Sequence, residues 1–251
     1  EISLGLVGSE MCIRDSLKPG DKHLDVGCGW GSMVRYAARQ GVKSLGVTLS
    51  KEQAEWAQAK IKEEGLEDLA EVRFLDYRDV TETDFDGISS IGLLEHIGVK
   101  NFASYFEFLA GKLRPGGVMV NHCITYPDNH KTPQGDFINR YIFPDGELTG
   151  SGTIIYEMQD HGFEVFHEEN IRFDYMRTLH DWCENLKANW DEAVALVGEN
   201  TAKLWGMYMA GSEWGFEHDV VELHQVVGIK LASDGSRAGA PERRWWNDSV
   251  F

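Results

Sequence analysis

The sequence predicts an α/β fold: a doubly wound, mostly parallel seven-stranded sheet with a helical lid or insert on its ligand side. Three observations lead there. Short apolar strands alternate with helical patterns from residue 22 to residue 124, joined by short turns. The first strand breaks directly into a glycine-rich turn and a helix, His-Leu-Asp-Val-Gly-Cys-Gly-Trp-Gly-Ser-Met at 23–33. The chain has 251 residues, 42% of them hydrophobic, enough for one α/β domain with an elaboration. Alternating βα units with tight turns build a parallel sheet through right-handed crossovers.

Residues 1–16 fit none of this pattern. They resemble translated adapter read-through and are expected to be a non-native leader, ahead of a single domain over 17–232. Lys18-Pro19-Gly20 turns into the first strand. Residues 31–40 form the first helix, ended by Gly41. Ser44–Val47 is a second strand, and Ser50 with Gln53 forms a capping box that opens the next helix. That helix carries Ala54, Ala57 and Ile61 on its inner face and stops at Gly65. Val72–Leu75 is a third strand and Gly87–Gly92 a fourth. Asn101 is expected to cap a helix with Phe102, Tyr105, Phe106, Leu109 and Leu113 at helical spacing. Arg114-Pro115-Gly116-Gly117 turns into a fifth strand, Val118–Ile124. Residues 125–152 are polar and Gly/Pro-rich around an apolar knot, as in a lid or binding insert. A helix near 153–161 and a strand near 163–171 resume the sheet. Residues 173–215 form a helical cover rich in Trp, Tyr and Met, either core packing or the wall of an acyl-chain channel. Val220–Leu231 is the last strand, and 233–251 reads as a flexible tail.

The formal charge of −17 removes the basic footprint of a nucleic-acid binder. It also removes general attraction to an anionic bilayer, so any membrane contact is local. No apolar run approaches the roughly 20 residues needed to span a bilayer. The four cysteines form no C-x-x-C pair and no Cys/His zinc spacing, so they read as free thiols of a reducing cytosol, with no metal site.

In open parallel sheets, ligands bind beyond the carboxyl ends of the strands, at the topological switch point. Here those ends carry Gly27-Cys28-Gly29, Thr48-Leu49-Ser50, Asp76-Tyr77-Arg78, Gly92-Leu93-Leu94-Glu95-His96 and His122-Cys123-Ile124-Thr125. The turn at 27–31 is G-x-G-x-G rather than the dinucleotide pattern, and no Walker lysine follows it. No G-x-S-x-G elbow and no H-E-x-x-H is present. Two carboxylates and two imidazoles are left to converge on whatever the glycines cradle.

Six stretches in register carry a resemblance. They are Leu-Asp-Val-Gly-Cys-Gly-Trp-Gly, Gly-Val-Thr-Leu-Ser-x-Glu-Gln, Asp-Tyr-Arg-Asp, Leu-Glu-His-Ile-Gly, Tyr-Ile-Phe-Pro-Asp-Gly-Glu-Leu and Leu-His-Gln-Val. Together they resemble the cyclopropane-fatty-acid synthases and mycolic acid cyclopropane synthases, S-adenosylmethionine-dependent enzymes of the class I methyltransferase fold. The resemblance spans Leu17 to Leu231. It implies that Gly27, Cys28, Gly29 and Gly31 lie under the methionine part of S-adenosylmethionine, and that Thr48, Leu49, Ser50 and Gln53 form the loop after the second strand. It implies that Asp76, Tyr77 and Arg78 flank the adenine. It also implies a bicarbonate ion held by Glu95, His122, the backbone of Ile124 and Tyr175. Taken singly, these residues have plainer readings: a helix-start acid, a satisfied core histidine, a packed tyrosine.

The implied reaction adds a methyl(ene) carbon to the cis double bond of an unsaturated fatty acyl chain. The product is a cyclopropane, formed through a carbocation and bicarbonate-assisted deprotonation. A methylene or methyl-branched product by the same first step stays open, since Met209–Phe216 looks more like relatives that make branched fatty acids. A small-amine N-methyltransferase and a non-catalytic cofactor-binding relative are further alternatives. Two departures stand out. The family's Tyr-Ser-Cys stretch is not found upstream of the glycine turn; if the protein begins at Glu1, weak or no activity is expected. A cysteine common in relatives is Ser212 here. The implied location is cytoplasmic and peripheral to the inner membrane face, with Arg243-Arg244-Trp245-Trp246 either an interfacial anchor or part of the loose tail.

Overall fold

The computed structural model describes residues 17–130, 135–144 and 146–240. The expected leader at 1–16 and the Arg-Arg-Trp-Trp segment at 243–246 lie outside the described residues. Seven strands form one sheet: β1 (Lys22–Val26), β2 (Lys43–Thr48), β3 (Ala70–Phe74), β4 (Phe85–Ile91), β5 (Leu113–Thr125), β6 (Phe163–Asn170) and β7 (Glu222–Lys230). Their order is β3-β2-β1-β4-β5-β7-β6. The first five run parallel, while β7 lies antiparallel between β5 and β6. The chain winds outward from β1 to β3, then returns across β1 to β4. That reversal places the switch point between β1 and β4.

Nine helices accompany the strands among the described residues: α1 (Ser32–Arg39), α2 (Lys51–Glu63), α3 (Leu94–Ile97), α4 (Phe102–Lys112), α5 (Asp136–Tyr141), α6 (Ser151–Asp160), α7 (Arg172–Ala188), α8 (Trp190–Val197) and α9 (Glu199–Glu217). Both faces of the sheet are covered, which is why its strands read as nearly continuous apolar runs. Met119 and Cys123 of β5 join Phe102, Tyr105, Phe106 and Leu109 of α4 and Ile154 and Met158 of α6. The alternate residues Val118 and Val120 join Met33 of α1 and Val227 and Ile229 of β7. A separate cluster of Ile171, Leu179, Phe216 and Leu223 fastens the α7–α9 hairpin to the start of β7.

Several local expectations change. The capping box at α2 is half formed: Ser50 Oγ accepts the Gln53 N–H at 3.2 Å, but Gln53 Oε1 accepts from the Thr48 hydroxyl at 2.9 Å. The Ser50 N–H that Gln53 would have taken donates instead to Thr48 Oγ1 at 3.2 Å. Asn101 does not cap α4; its amide donates back to the Ile97 carbonyl at 2.7 Å, closing α3. The Arg114–Gly117 turn is a bulge inside a longer β5, where the register to β4 shifts between Phe85 and Gly87. The expected helical cover at 173–215 is three helices, broken at Asn189 and Gly198. The tail is held as far as Ala240, which is buried, because Arg237 pairs with Glu164 on β6 at 2.6 Å.

Candidate active site

The glycine turn folds back over the neighbouring strand. The Gly27 and Cys28 N–H groups both donate to the Val47 carbonyl at 3.0 Å. Gly31 N-caps α1 at φ +69°, and a Cβ there would lie 2.9 Å from Ala57 Cβ on α2. Glycine thus lets two helices approach and leaves bare backbone at the switch point. The Cys28 thiol is buried, and burial followed by the nearby Asp25 carboxylate pushes its pKa up. It is a wall, not a nucleophile.

Below the turn lies a buried chain of hydrogen bonds. Ser89 donates to Asp25 Oδ1 at 2.5 Å, so its oxygen accepts from His23 Nε2 at 2.9 Å, and His23 Nδ1 accepts from Ser44 at 2.8 Å. Burial raises Asp25 to about 6 and lowers His23 to about 4. The one acid of the first strand is therefore anchored from beneath.

One wall of the site is Thr48, Leu49, Ser50 and Gln53, joined as described, with Leu49 71% exposed at the rim. A Cβ on Gly29 would meet only the Gln53 amide nitrogen, at 4.0 Å, so the α2 start faces the glycine turn. Past β3, the Asp76 carboxylate takes two bonds from Arg78, at 2.9 and 2.6 Å, and one from the Arg78 N–H. The Arg78 guanidinium holds Asp76 below the usual carboxylate range. Tyr77 packs edge-on against Tyr105 and Phe108, and Arg78 lies over its ring.

The opposite wall gathers the candidate catalytic set. Glu95 on α3 is half-buried with its carboxyl end turned inward; its Oε1 accepts the Ile124 N–H at 2.8 Å and its buried Oε2 has no partner. Burial raises its pKa to about 7, against the lowering effect of that N–H. His122 and Ile124 are two residues apart on β5 and so share a face. Burial lowers His122 to about 4, leaving the ring neutral. Tyr175 on α7 packs against Phe216 and Trp182. Burial, then the neighbouring Tyr208 and Glu95, hold its hydroxyl protonated. The structure therefore brings Glu95, Ile124 and Tyr175 together, with His122 beside Ile124, but the Ile124 N–H is already spent on Glu95. His96 is turned elsewhere, against Phe143 of the insert. The insert is fastened here by Glu147, whose N–H donates to the Glu95 carbonyl and whose carboxylate accepts the Val99 N–H.

Three residues were absent from the sequence-derived set. Gln225 on β7 donates to His122 Nδ1 at 3.0 Å. Tyr208 meets Phe143 and Trp205 edge-on. Trp182 carries a buried, unpartnered N–H beside Tyr175. Gln225 had one signal, a lone amide beside His224 at the head of an apolar run; the other two were indistinguishable from their aromatic stripe.

Residues 9–226 match the sequence profile of the mycolic acid cyclopropane synthetase family. The chain belongs to that family. Its members are S-adenosylmethionine-dependent methyltransferases. A probable fatty acid methyltransferase of Mycobacterium tuberculosis is 59% identical over 231 residues, 92% of this chain and 54% of that protein. The cyclopropane-fatty-acyl-phospholipid synthase of Escherichia coli K12 is 34% identical over 230 residues, 90% of this chain and 58% of that one. The mycolic acid cyclopropane synthase CmaA1, solved with SAH and CTAB, superposes with a TM-score of 0.79 at 28% identity, covering 88% of this chain and 82% of that one. The chain thus spans little more than half the length of the two relatives named first. Every candidate site residue lies inside the matched range. No helix among the described residues is long and apolar enough to cross a membrane.

Proposed function

We propose that this chain binds S-adenosylmethionine over the glycine turn and transfers its methyl group to the cis double bond of an unsaturated fatty acyl chain. The sulfur–methyl bond breaks as the alkene electrons form the new carbon–carbon bond. S-adenosylhomocysteine leaves, and the neighbouring carbon becomes cationic. Loss of a proton from the added methyl then closes a cyclopropane ring. An alkene is a weak nucleophile, so the methyl must be held in line and water excluded. The Gly27–Gly31 backbone, with Gln53 and Tyr77 as walls, supports that placement. Rings from Tyr175, Tyr208 and Trp182 would each favour the cation by about 0.5–2 kcal/mol.

The observation that carries the reading is Glu95: a buried carboxyl with one oxygen fixed by Ile124, the other unpartnered, and a pKa of about 7. Such a group holds or yields a proton at neutral pH. A bicarbonate ion fits this set, because neutral His122 and the Tyr175 hydroxyl can donate to the anion, while Glu95, ionised in part at neutral pH with a pKa of about 7, can accept the bicarbonate O–H at Oε2. When bound, bicarbonate supplies the base for the proton lost on ring closure. Glu95 Oε2 is the atom of this chain that takes up that proton, and Tyr175 and His122 orient the neighbourhood. The acyl chain enters as phospholipid or on a carrier, by peripheral contact with a membrane in the first case.

A second reading is favoured by the 59% identity to a probable fatty acid methyltransferase. Loss of a different proton would leave an exocyclic methylene, which later reduction turns into a methyl branch. One experiment separates the outcomes. S-adenosylmethionine binding is measured by calorimetry, then turnover is followed on mono-unsaturated phospholipid vesicles with the product identified by NMR. A cyclopropane is the expected product, and a methylene product supports the second reading. Binding without turnover on any unsaturated lipid would overturn the catalytic assignment.

A further inference from the structure

We propose that Gln225 is a positioning residue: its side-chain N–H fixes His122 as the Nε2–H tautomer, so the ring donates rather than accepts on its free side. The two residues face each other directly across the β5–β7 ladder, His122 paired with Gln225, although 103 positions apart in sequence. Both are buried, His122 at 6% and Gln225 at 1% exposure. An amide among Leu223, Val226, Val227 and Ile229 is costly unless it is bonded. Its Nε2 donates to His122 Nδ1 at 3.0 Å. A buried, uncharged imidazole carries one proton. With the Nδ1 lone pair engaged, that proton sits on Nε2.

The opposite orientation of the amide is the competing arrangement. Turning it would place Oε1 against Nδ1 and select the Nδ1–H tautomer. It would also leave both N–H hydrogens of a buried amide unused, where the present orientation leaves one N–H and the Oε1 carbonyl without a partner. A buried N–H without a partner is rarer in folded proteins than a buried carbonyl without one, which favours the present orientation. Gln225 is His122's one side-chain hydrogen-bond partner among the described residues. The Nε2–H is therefore unspent. What that N–H contacts rests on the reaction proposed above, a donor toward an anion or a developing charge. The tautomer itself does not.

The test uses the whole chain labelled with ¹⁵N-histidine. Long-range ¹H–¹⁵N correlation distinguishes a protonated from an unprotonated ring nitrogen, and the His122 signals are assigned by their loss in His122→Asn. The expected pattern is protonated Nε2 with unprotonated Nδ1. A protonated Nδ1 overturns the proposal without any reference to turnover. In Gln225→Met, which keeps the length and removes the donor, an Nδ1–H population should appear. Methyl transfer should then lose about 10-fold in kcat, with the KM for S-adenosylmethionine within about two-fold of the parent. A single unchanged Nε2–H tautomer in Gln225→Met also overturns the assignment. If that variant does not fold, the parent spectrum decides alone. If the tautomer is as stated but no lipid is methylated, the proposed reaction fails and this inference stands.

Discussion

Glu95 shows at residue scale how burial becomes chemistry. Its carboxyl is shifted from an ordinary value of 4.5 to about 7 because the charged form is desolvated more than the Ile124 N–H repays. The folded state therefore binds a proton that the unfolded state releases between those two values. Stability from this group is fully present below about pH 4.5 and is lost as pH rises through about 7. Asp25, raised to about 6, acts in the same direction over a lower window. His23 and His122, both lowered to about 4, act oppositely: they favour folding above the ordinary histidine value of 6.5 and lose that contribution as pH falls towards 4. A plain pH–stability curve mixes all four, so the test is a difference. Glu95→Gln keeps an acceptor for the Ile124 N–H and removes the titration. The melting temperature of the variant minus that of the parent should be small at pH 5 and clearly positive at pH 8, equivalent to a few kcal/mol. A difference flat with pH would show that Glu95 is not the buried acid described. Methyl transfer by the same variant should fall by about 100-fold or more.

At the scale of elements, close approach explains what hydrophobic periodicity does not. Gly46 sits in the middle of β2 with an ordinary φ, so turn chemistry gives no reason for it. A Cβ there would lie 2.6 Å from Val34 Cγ2 and 2.8 Å from Cys28 Sγ. Glycine at this point lets α1 and the glycine turn settle against the sheet together. Gly46→Ala must push one of them outward. It should cost about 1–3 kcal/mol in urea unfolding and weaken S-adenosylmethionine binding in calorimetry, because the displaced wall is the proposed cofactor floor. Gly111, within α4 and with nothing inside 4 Å of its would-be Cβ, gives the control. Gly111→Ala should stabilise by up to about 1 kcal/mol with binding unchanged. Equal effects from the two substitutions would refute the steric account. The same distinction explains what local sequence could give. The strands, the α2 cap at Ser50 and the stop at Gly65 follow from nearest-neighbour chemistry and were legible. Asn101 and the second half of the capping box were misassigned, because Ile97 and Thr48 offered competing partners that no spacing rule ranks.

For the whole molecule, the limit of legibility is pairing across distance. The glycine turn, Asp76 and Glu95 each follow the end of a strand and His122 lies near the end of another, and the parallel arrangement of those strands was readable from the alternation of elements. The place of β7 between β5 and β6 was not, since an apolar strand carries no mark of its neighbours, and with it went the Gln225–His122 bond. Net charge is different: it is a sum, so it survives ignorance of the fold. A chain at −17 is repelled by an anionic surface wherever its few cations are tied up. Among the described residues several are: Arg35 and Arg39 pair with Glu64, Arg73 with Glu71 and Glu82, Arg78 with Asp76, and Arg114 with Asp86. If the lipid is reached at a membrane, contact must come from apolar groups against electrostatic opposition. Flotation with vesicles should show weaker binding to anionic than to zwitterionic bilayers at low salt. Raising ionic strength shortens the screening length from about 10 Å at 0.1 M to about 3 Å at 1 M, so the gap should close as anionic binding rises. Tighter binding to anionic vesicles that salt weakens would mean that a local basic surface, not the summed charge, governs docking.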